Sequence, residues 1–159
     1  MLTSSILVDE AFLPRAIDLV TLAQRELYIS TFKAELTTKP RGRRLTKFFE
    51  QVFAASWAGL DVRFLLNRTV PRGTVPLSNF HAIQVLQKHG VHVRCLRGDR
   101  VCHAKLLIAD NAAAIFGSHN LSVKSCHNNF EISYLFTDPS IVDNLRTVYL
   151  SVWDKAQRP

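Results

Sequence analysis

Between His103 and Glu131 the chain reads HAKLLIADNAAAIFGSHNLSVKSCHNNFE, and the residue types in that stretch suit chemistry on a phosphodiester. The order is H-x-K-x4-D-x6-G-S-x-N, closed by a glutamate. On a strand, residues two apart face the same way, so His103 and Lys105 project together while Ala104 turns away. An imidazole titrates close to neutral pH and can serve as nucleophile, base or acid. Lys105 brings charge to phosphate oxygens, and Ser118 and Asn120 bring neutral hydrogen bonds. A single strand histidine is more often packed than reactive, and Gly-Ser-His-Asn alone reads as a polar turn. Their fixed separation reverses both readings.

The elements around them must hold these groups in place. Gly117 is expected to end a strand and let the backbone approach an anion closely. A short helix beginning near residues 121–125 would add N-terminal amides. Helical spacing of Phe12, Leu13, Ala16, Ile17, Leu19, Val20 and Ala23 predicts a helix over 10–25. Leu45, Phe48, Phe49, Val52, Phe53 and Trp57 predict another over 45–58, stopped by Gly59. Residues 26–32, 61–66, 91–96, 103–109, 113–116 and 131–137 read as strands. Asn79 is expected to cap a helix reaching Lys88 and ended by Gly90, and Asp138 or Ser140 one reaching Trp153. Pro71, Gly73 and Pro76 mark a loop. This alternation predicts one α/β domain over 1–159, its mixed sheet largely parallel and covered by helices on both faces.

The chain has 159 residues, nearly half of them apolar, and a net charge of +7. Such a basic balance favours a polyanionic partner. Lys33, Lys39, Arg41, Arg43, Arg44 and Lys47 concentrate it in one segment, with Lys39, Arg41, Arg43 and Arg44 the candidates for the nucleic-acid backbone. Arg68, Arg72, Arg94, Arg97 and Arg100 form a second group expected to flank the same groove, and Phe32 or Phe80 is a candidate to stack on a base. Cys95, Cys102 and Cys126 make an odd count without a CxxC pair, which argues for reduced thiols over disulfides or zinc. The N-terminus lacks a basic leader and no stretch is apolar enough to span a membrane, so a cytoplasmic location is expected.

The 103–131 pattern resembles the HKD motif of the phospholipase D superfamily, with His103, Lys105 and Asp110 as its named residues and Gly117, Ser118 and Asn120 as its G-S-x-N continuation. Glu131 falls where small members carry a downstream glutamate. No second H-x-K occurs, because Ile83, Val91 and Arg94 stand two residues after His81, His89 and His92. One copy in a chain of this length is similar to the small Nuc-like endonuclease branch. That resemblance implies the superfamily's fold, a homodimer sharing one active site, no cofactor and no metal. It also implies a phosphohistidine: one His103 attacks phosphorus and the partner's serves as acid and then base. Lys105 and Asn120 would then hold the phosphate oxygens, and Glu131 would fix an imidazole tautomer, in its own chain or the partner's. Asp110 reads as a structural anchor of its turn, and His119 and His127 as solvated loop residues. The leading expectation is a nuclease acting on DNA or RNA. The alternatives are a phospholipid hydrolase, which needs an apolar mouth not evident near the motif, and a silent nucleic-acid-binding module.

Overall fold

The computed structural model describes residues 2–67, 77–96 and 100–159. The elements run β1 (Ser5–Val8), α1 (Phe12–Leu22), β2 (Glu26–Ser30), α2 (Arg43–Trp57), β3 (Asp61–Leu65), α3 (Ser78–Lys88), β4 (His92–Arg94), β5 (Lys105–Ala109), β6 (Ala113–Gly117), α4 (Val123–His127), β7 (Ile132–Phe136) and α5 (Pro139–Lys155). Among the described residues, seven strands form one sheet in the order β1-β7-β6-β5-β2-β3-β4.

The α/β class and the helices on both faces stand as expected. One face packs Leu13, Ala16 and Leu19 of α1, Phe48, Phe49 and Val52 of α2, and Ala82 and Leu86 of α3 against Leu27, Ile29, Phe64 and Leu107. On the other, Val142, Tyr149 and Trp153 of α5 cover Tyr28, Leu65, Leu106, Ile108 and Ala114. The expectation of a largely parallel sheet is corrected. Among the strands of the described residues, only β2–β3 and β3–β4 pair in parallel; the pairs β2–β5, β5–β6, β6–β7 and β1–β7 are antiparallel. The reason lies in the connections. Helical crossovers join the parallel strands, whereas the tight turn at residues 110–112 returns β6 beside β5 and needs no crossover.

Strand β1 was not anticipated, since Ser5–Val8 is too short to show a period beside the helical pattern that follows. Gly59 and Gly90 do end α2 and α3, with φ of +87° and +81°. Asp138 caps α5 by accepting from the Ser140 and Ile141 amides. Asn79 is not a cap. It lies fully buried inside α3 and uses its amide elsewhere.

Half of the sheet is left partly bare on the α5 side. Ile6, Val8, Phe116, Ile132 and Tyr134 are exposed on three adjacent strands. Ile6 faces Tyr134 and Val8 faces Ile132 across β1–β7, and Phe116 faces Tyr134 across β6–β7. Phe130, 78% exposed, lies beside them just ahead of β7. No helix of the described residues is long and apolar enough to cross a membrane.

Candidate active site

At the end of β5 nearest residue 103, the sheet opens. His103 stands exposed just before the strand, and Lys105 occupies its first, buried position. The Lys105 Nζ donates to the His103 carbonyl at 2.7 Å and sits 3.0 and 3.3 Å from Nδ1 and Nε2 of the ring. An ammonium only donates, so the nitrogen it touches must offer a lone pair. Burial pulls the Lys105 ammonium below the usual lysine range, and the negative charge of Glu131 opposes that pull. The Phe32 ring backs the imidazole at 5.1 Å between centroids and lies 5.9 Å from Nζ.

Asn120 completes the group from the segment after β6. Its Oδ1 accepts from the Thr31 hydroxyl at 3.2 Å and from the Lys33 amide at 3.1 Å. A backbone N–H cannot bond a side-chain NH2, so this fixes which end of the amide faces inward. Among the described residues the Nδ2 donors are left uncommitted.

Glu131, 8% exposed, is the anchor behind these groups. Its carboxylate accepts from Ser118 Oγ, from Ser125 Oγ at 2.8 Å and from Asn129 Nδ2 at 2.9 Å. Burial raises its proton affinity, but the bonds from Ser118, Asn129 and Ser125 outweigh it and hold the carboxyl below the usual glutamate range. Ser125 Oγ also accepts the Asn120 amide at 2.8 Å, so Glu131 secures the Asn120 backbone through one hydroxyl. Among the described residues it makes no hydrogen bond to the His103 of its own chain.

The same geometry places the other residues singled out in the sequence. Ser118 is not a free phosphate donor: its only hydroxyl proton goes to Glu131, while its oxygen accepts the Ile132 amide. Gly117 is required by the neighbouring strand rather than by an anion. A Cβ there would stand 2.4 Å from Ser133 Cα and 2.5 Å from the Ile132 carbonyl. Asp110 lies at the opposite end of β5 with φ +53°, and its carboxylate accepts the backbone amides of Gln24, Arg25 and Glu26. His119 is buried, not solvated. It stacks on Phe12 at 4.3 Å and bonds Ser133 Oγ and the Asp9 carbonyl. His127, half-buried, meets Glu10 at 3.3 Å. Phe116 and Ile132 are exposed next in sequence to Gly117 and Glu131, but strand alternation turns them to the α5 face of the sheet, opposite the face of Lys105.

The basic segment starts at the site and leads away from it. The Lys33 amide bonds Asn120, and the Glu35 amide bonds the Leu121 carbonyl at 2.8 Å. Lys39, Arg41, Arg43 and Arg44 are exposed, the last 3.8 Å from Glu10. In the second group, Arg94 is instead fastened to α5, donating to the Trp153 carbonyl and lying over its ring at 4.8 Å. Arg68, Arg72 and Arg97, with the loop carrying Pro71, Gly73 and Pro76, fall outside the described residues; Arg100 is exposed.

Residues 16–153 match the family described as "Cardiolipin synthase, PLD-like domain". The chain belongs to that phospholipase D-like family. It is 26% identical over 151 residues to "Phospholipase D Z" of Dictyostelium discoideum, covering 87% of this chain and 35% of that protein. The domain thus spans about a third of the length of that curated relative. Its fold is that of the phospholipase D family member Nuc from Salmonella typhimurium, with TM-score 0.78, 16% identity and 99% of each chain covered. NucT from Helicobacter pylori shares the fold at TM-score 0.76, again with 16% identity and 99% of each chain covered. The phospholipase D-like family and the fold expected from the HKD pattern are therefore shown.

Proposed function

We propose that the chain is a phosphodiesterase that hydrolyses DNA or RNA through a phosphohistidine at His103, in a site shared by two copies. The observation that carries this reading is the meeting of three groups at one end of β5. An exposed imidazole touches an ammonium, and the Phe32 ring behind that imidazole is flanked in sequence by Thr31 and Lys33, the two residues that bond the Asn120 oxygen.

In this mechanism, one His103 nitrogen forms a bond to phosphorus as the bond to the leaving oxygen breaks. The partner's imidazolium gives its proton to that oxygen, then as a neutral base takes one from water. The water oxygen attacks phosphorus and releases the first histidine. Lys105 and Asn120 meet the non-bridging oxygens, where charge builds in the transition state. They do what a bound cation would do, so the reaction proceeds in EDTA. Glu131, engaged by Ser118, Ser125 and Asn129, supports Asn120 from behind in this arrangement. The exposed apolar strip Ile6, Val8, Phe116, Ile132 and Tyr134 reaches the end of the sheet that holds the site, and supports a second copy packing there.

The net charge of +7 and the exposed cations Lys39, Arg41, Arg43 and Arg44 favour nucleic acid as the substrate. A second reading, a phospholipid phosphodiester, is favoured by the match to a family described as "Cardiolipin synthase, PLD-like domain". One assay separates them: single- and double-stranded DNA, RNA and phospholipid vesicles are each incubated with the protein in EDTA. Cleavage of nucleic acid that disappears in His103→Ala is the expected result. Turnover of lipid alone establishes the second reading, binding without turnover a silent module. Activity surviving in His103→Ala contradicts the assigned chemistry.

A further inference from the structure

Strands β2 and β5 stop pairing at Ser30 and Leu106, short of Phe32 and His103. Beyond that rung the backbones separate, and the orphaned main-chain groups need other partners. Two buried side-chain amides supply them. Asn67, 4% exposed, accepts the Cys102 amide at 2.7 Å and donates to the Cys102 carbonyl at 2.9 Å, reproducing a strand rung with a side chain. Its Nδ2 also reaches the Phe32 carbonyl at 3.2 Å. Asn79 donates to that same carbonyl at 2.9 Å, donates to the Asn67 carbonyl at 3.4 Å, and accepts the Ala34 amide at 2.9 Å.

We propose that Asn67 and Asn79 are positioning residues for the reaction: together they clip the residue before His103 to the segment carrying Phe32, and so hold the imidazole against the Phe32 ring and Lys105. Neither belongs to the HKD pattern. The clip acts from two sides, through the main chain at Cys102 and through the ring at Phe32, which lies 5.1 Å from the imidazole. A nucleophile that must line up with a scissile bond loses rate when its ring is free to wander, while substrate binding by distant cations is unaffected. The clip therefore acts on kcat rather than KM.

This proposal rests on the catalytic reading of His103, and its test separates the two. Steady-state kinetics on the oligonucleotide cleaved best by the unaltered protein, and the His103 ring signals in a 1H–13C spectrum, are recorded for Asn67→Asp, Asn79→Ser and Phe32→Leu. The His103 signals are assigned by their absence in His103→Ala. The expected result is a kcat lower by roughly 10-fold or more with KM within about twofold. The ring signals should also move or broaden. Because Asn67→Asp leaves carbonyls without donors and can fail to fold, Asn79→Ser and the half-buried Phe32→Leu decide the matter if it does. Unchanged kcat with unmoved ring signals in those two overturns the clip. Lower melting temperature with an unaltered kcat of the folded fraction shows Asn67 and Asn79 to be merely structural, and equally overturns it. If His103→Ala itself keeps full activity, the catalytic reading falls, while the ring signals still report whether the clip holds the imidazole.

Discussion

The two ends of strand β5 carry the named residues of one motif and do opposite work. At the first end, Lys105 presents its ammonium to an exposed imidazole, and Asn120 is anchored by Thr31, by the Lys33 amide and, through Ser125, by Glu131. At the other, the Asp110 carboxylate faces inward and is fully engaged by three successive backbone amides at the start of β2. The lesson is that a sequence motif need not be a site. One end holds the groups proposed to react, and the other ties the end of β5 to the start of β2.

This contrast predicts different failures for the two ends. His103→Ala should lower phosphodiesterase activity by roughly 10³-fold or more while leaving the melting curve unchanged. Loss of the fold instead would make the imidazole a structural group. Lys105→Met should cost about 10²–10³-fold in kcat. Its effect on stability runs the other way. The fold holds the Lys105 ammonium below its usual range, so its burial costs stability at neutral pH, a cost that fades only as pH rises through the lowered value. Thermal unfolding at pH 7 should therefore show Lys105→Met at least as stable as the parent; a clear drop would contradict this assignment of the charge.

Asp110→Ala should do the reverse. Loss of three bonds to a carboxylate, at a residue with φ +53°, is expected to cost about 3 kcal/mol in denaturant unfolding. The folded fraction should keep kcat within about tenfold, since Asp110 touches no reacting group. Glu131 sharpens the comparison through pH. Its carboxyl is held below the usual range, so it contributes stability above that range and loses it as pH falls through the lowered value. The stability gap between the parent and Glu131→Gln should be largest near pH 7 and narrow as acidification carries the pH below the usual glutamate range. A gap independent of pH would show that the ionised carboxylate is not what its three donors stabilise. The smallest effect belongs to the basic segment: replacing Arg41, Arg43 and Arg44 with alanine should weaken binding and reduce the salt slope by up to about 3. An unchanged slope removes this segment from the interface.

Much of this was legible because the chemistry sits in consecutive, spaced residues. His103, Lys105 and Asn120 show themselves by type and interval, and the helices by the period of residues such as Leu45, Phe49 and Val52. What was not legible depends on pairing across the sheet. Ser118 looks like a phosphate donor until Glu131 is found taking its proton, and Gly117 looks like an anion cradle until Ser133 is found where a Cβ would stand. His119 reads as a loop residue because nothing near it in sequence names Phe12 and Asp9 as its partners. Asn67 and Asn79 carry no motif at all; only the parting of β2 and β5 gives them a task. The antiparallel half escaped for a similar reason, since a buried strand such as β5 looks alike in either orientation.

The most direct test of the whole account is to quench the protein during turnover of a nucleic-acid substrate and weigh the intact chain. Covalent attack by one of two facing imidazoles predicts a nucleotide adduct that acid removes and alkali spares, mapped to His103 and reaching at most one adduct for every two chains. An adduct on every chain would contradict the shared site, and continued turnover with no adduct on any histidine would contradict nucleophilic attack itself.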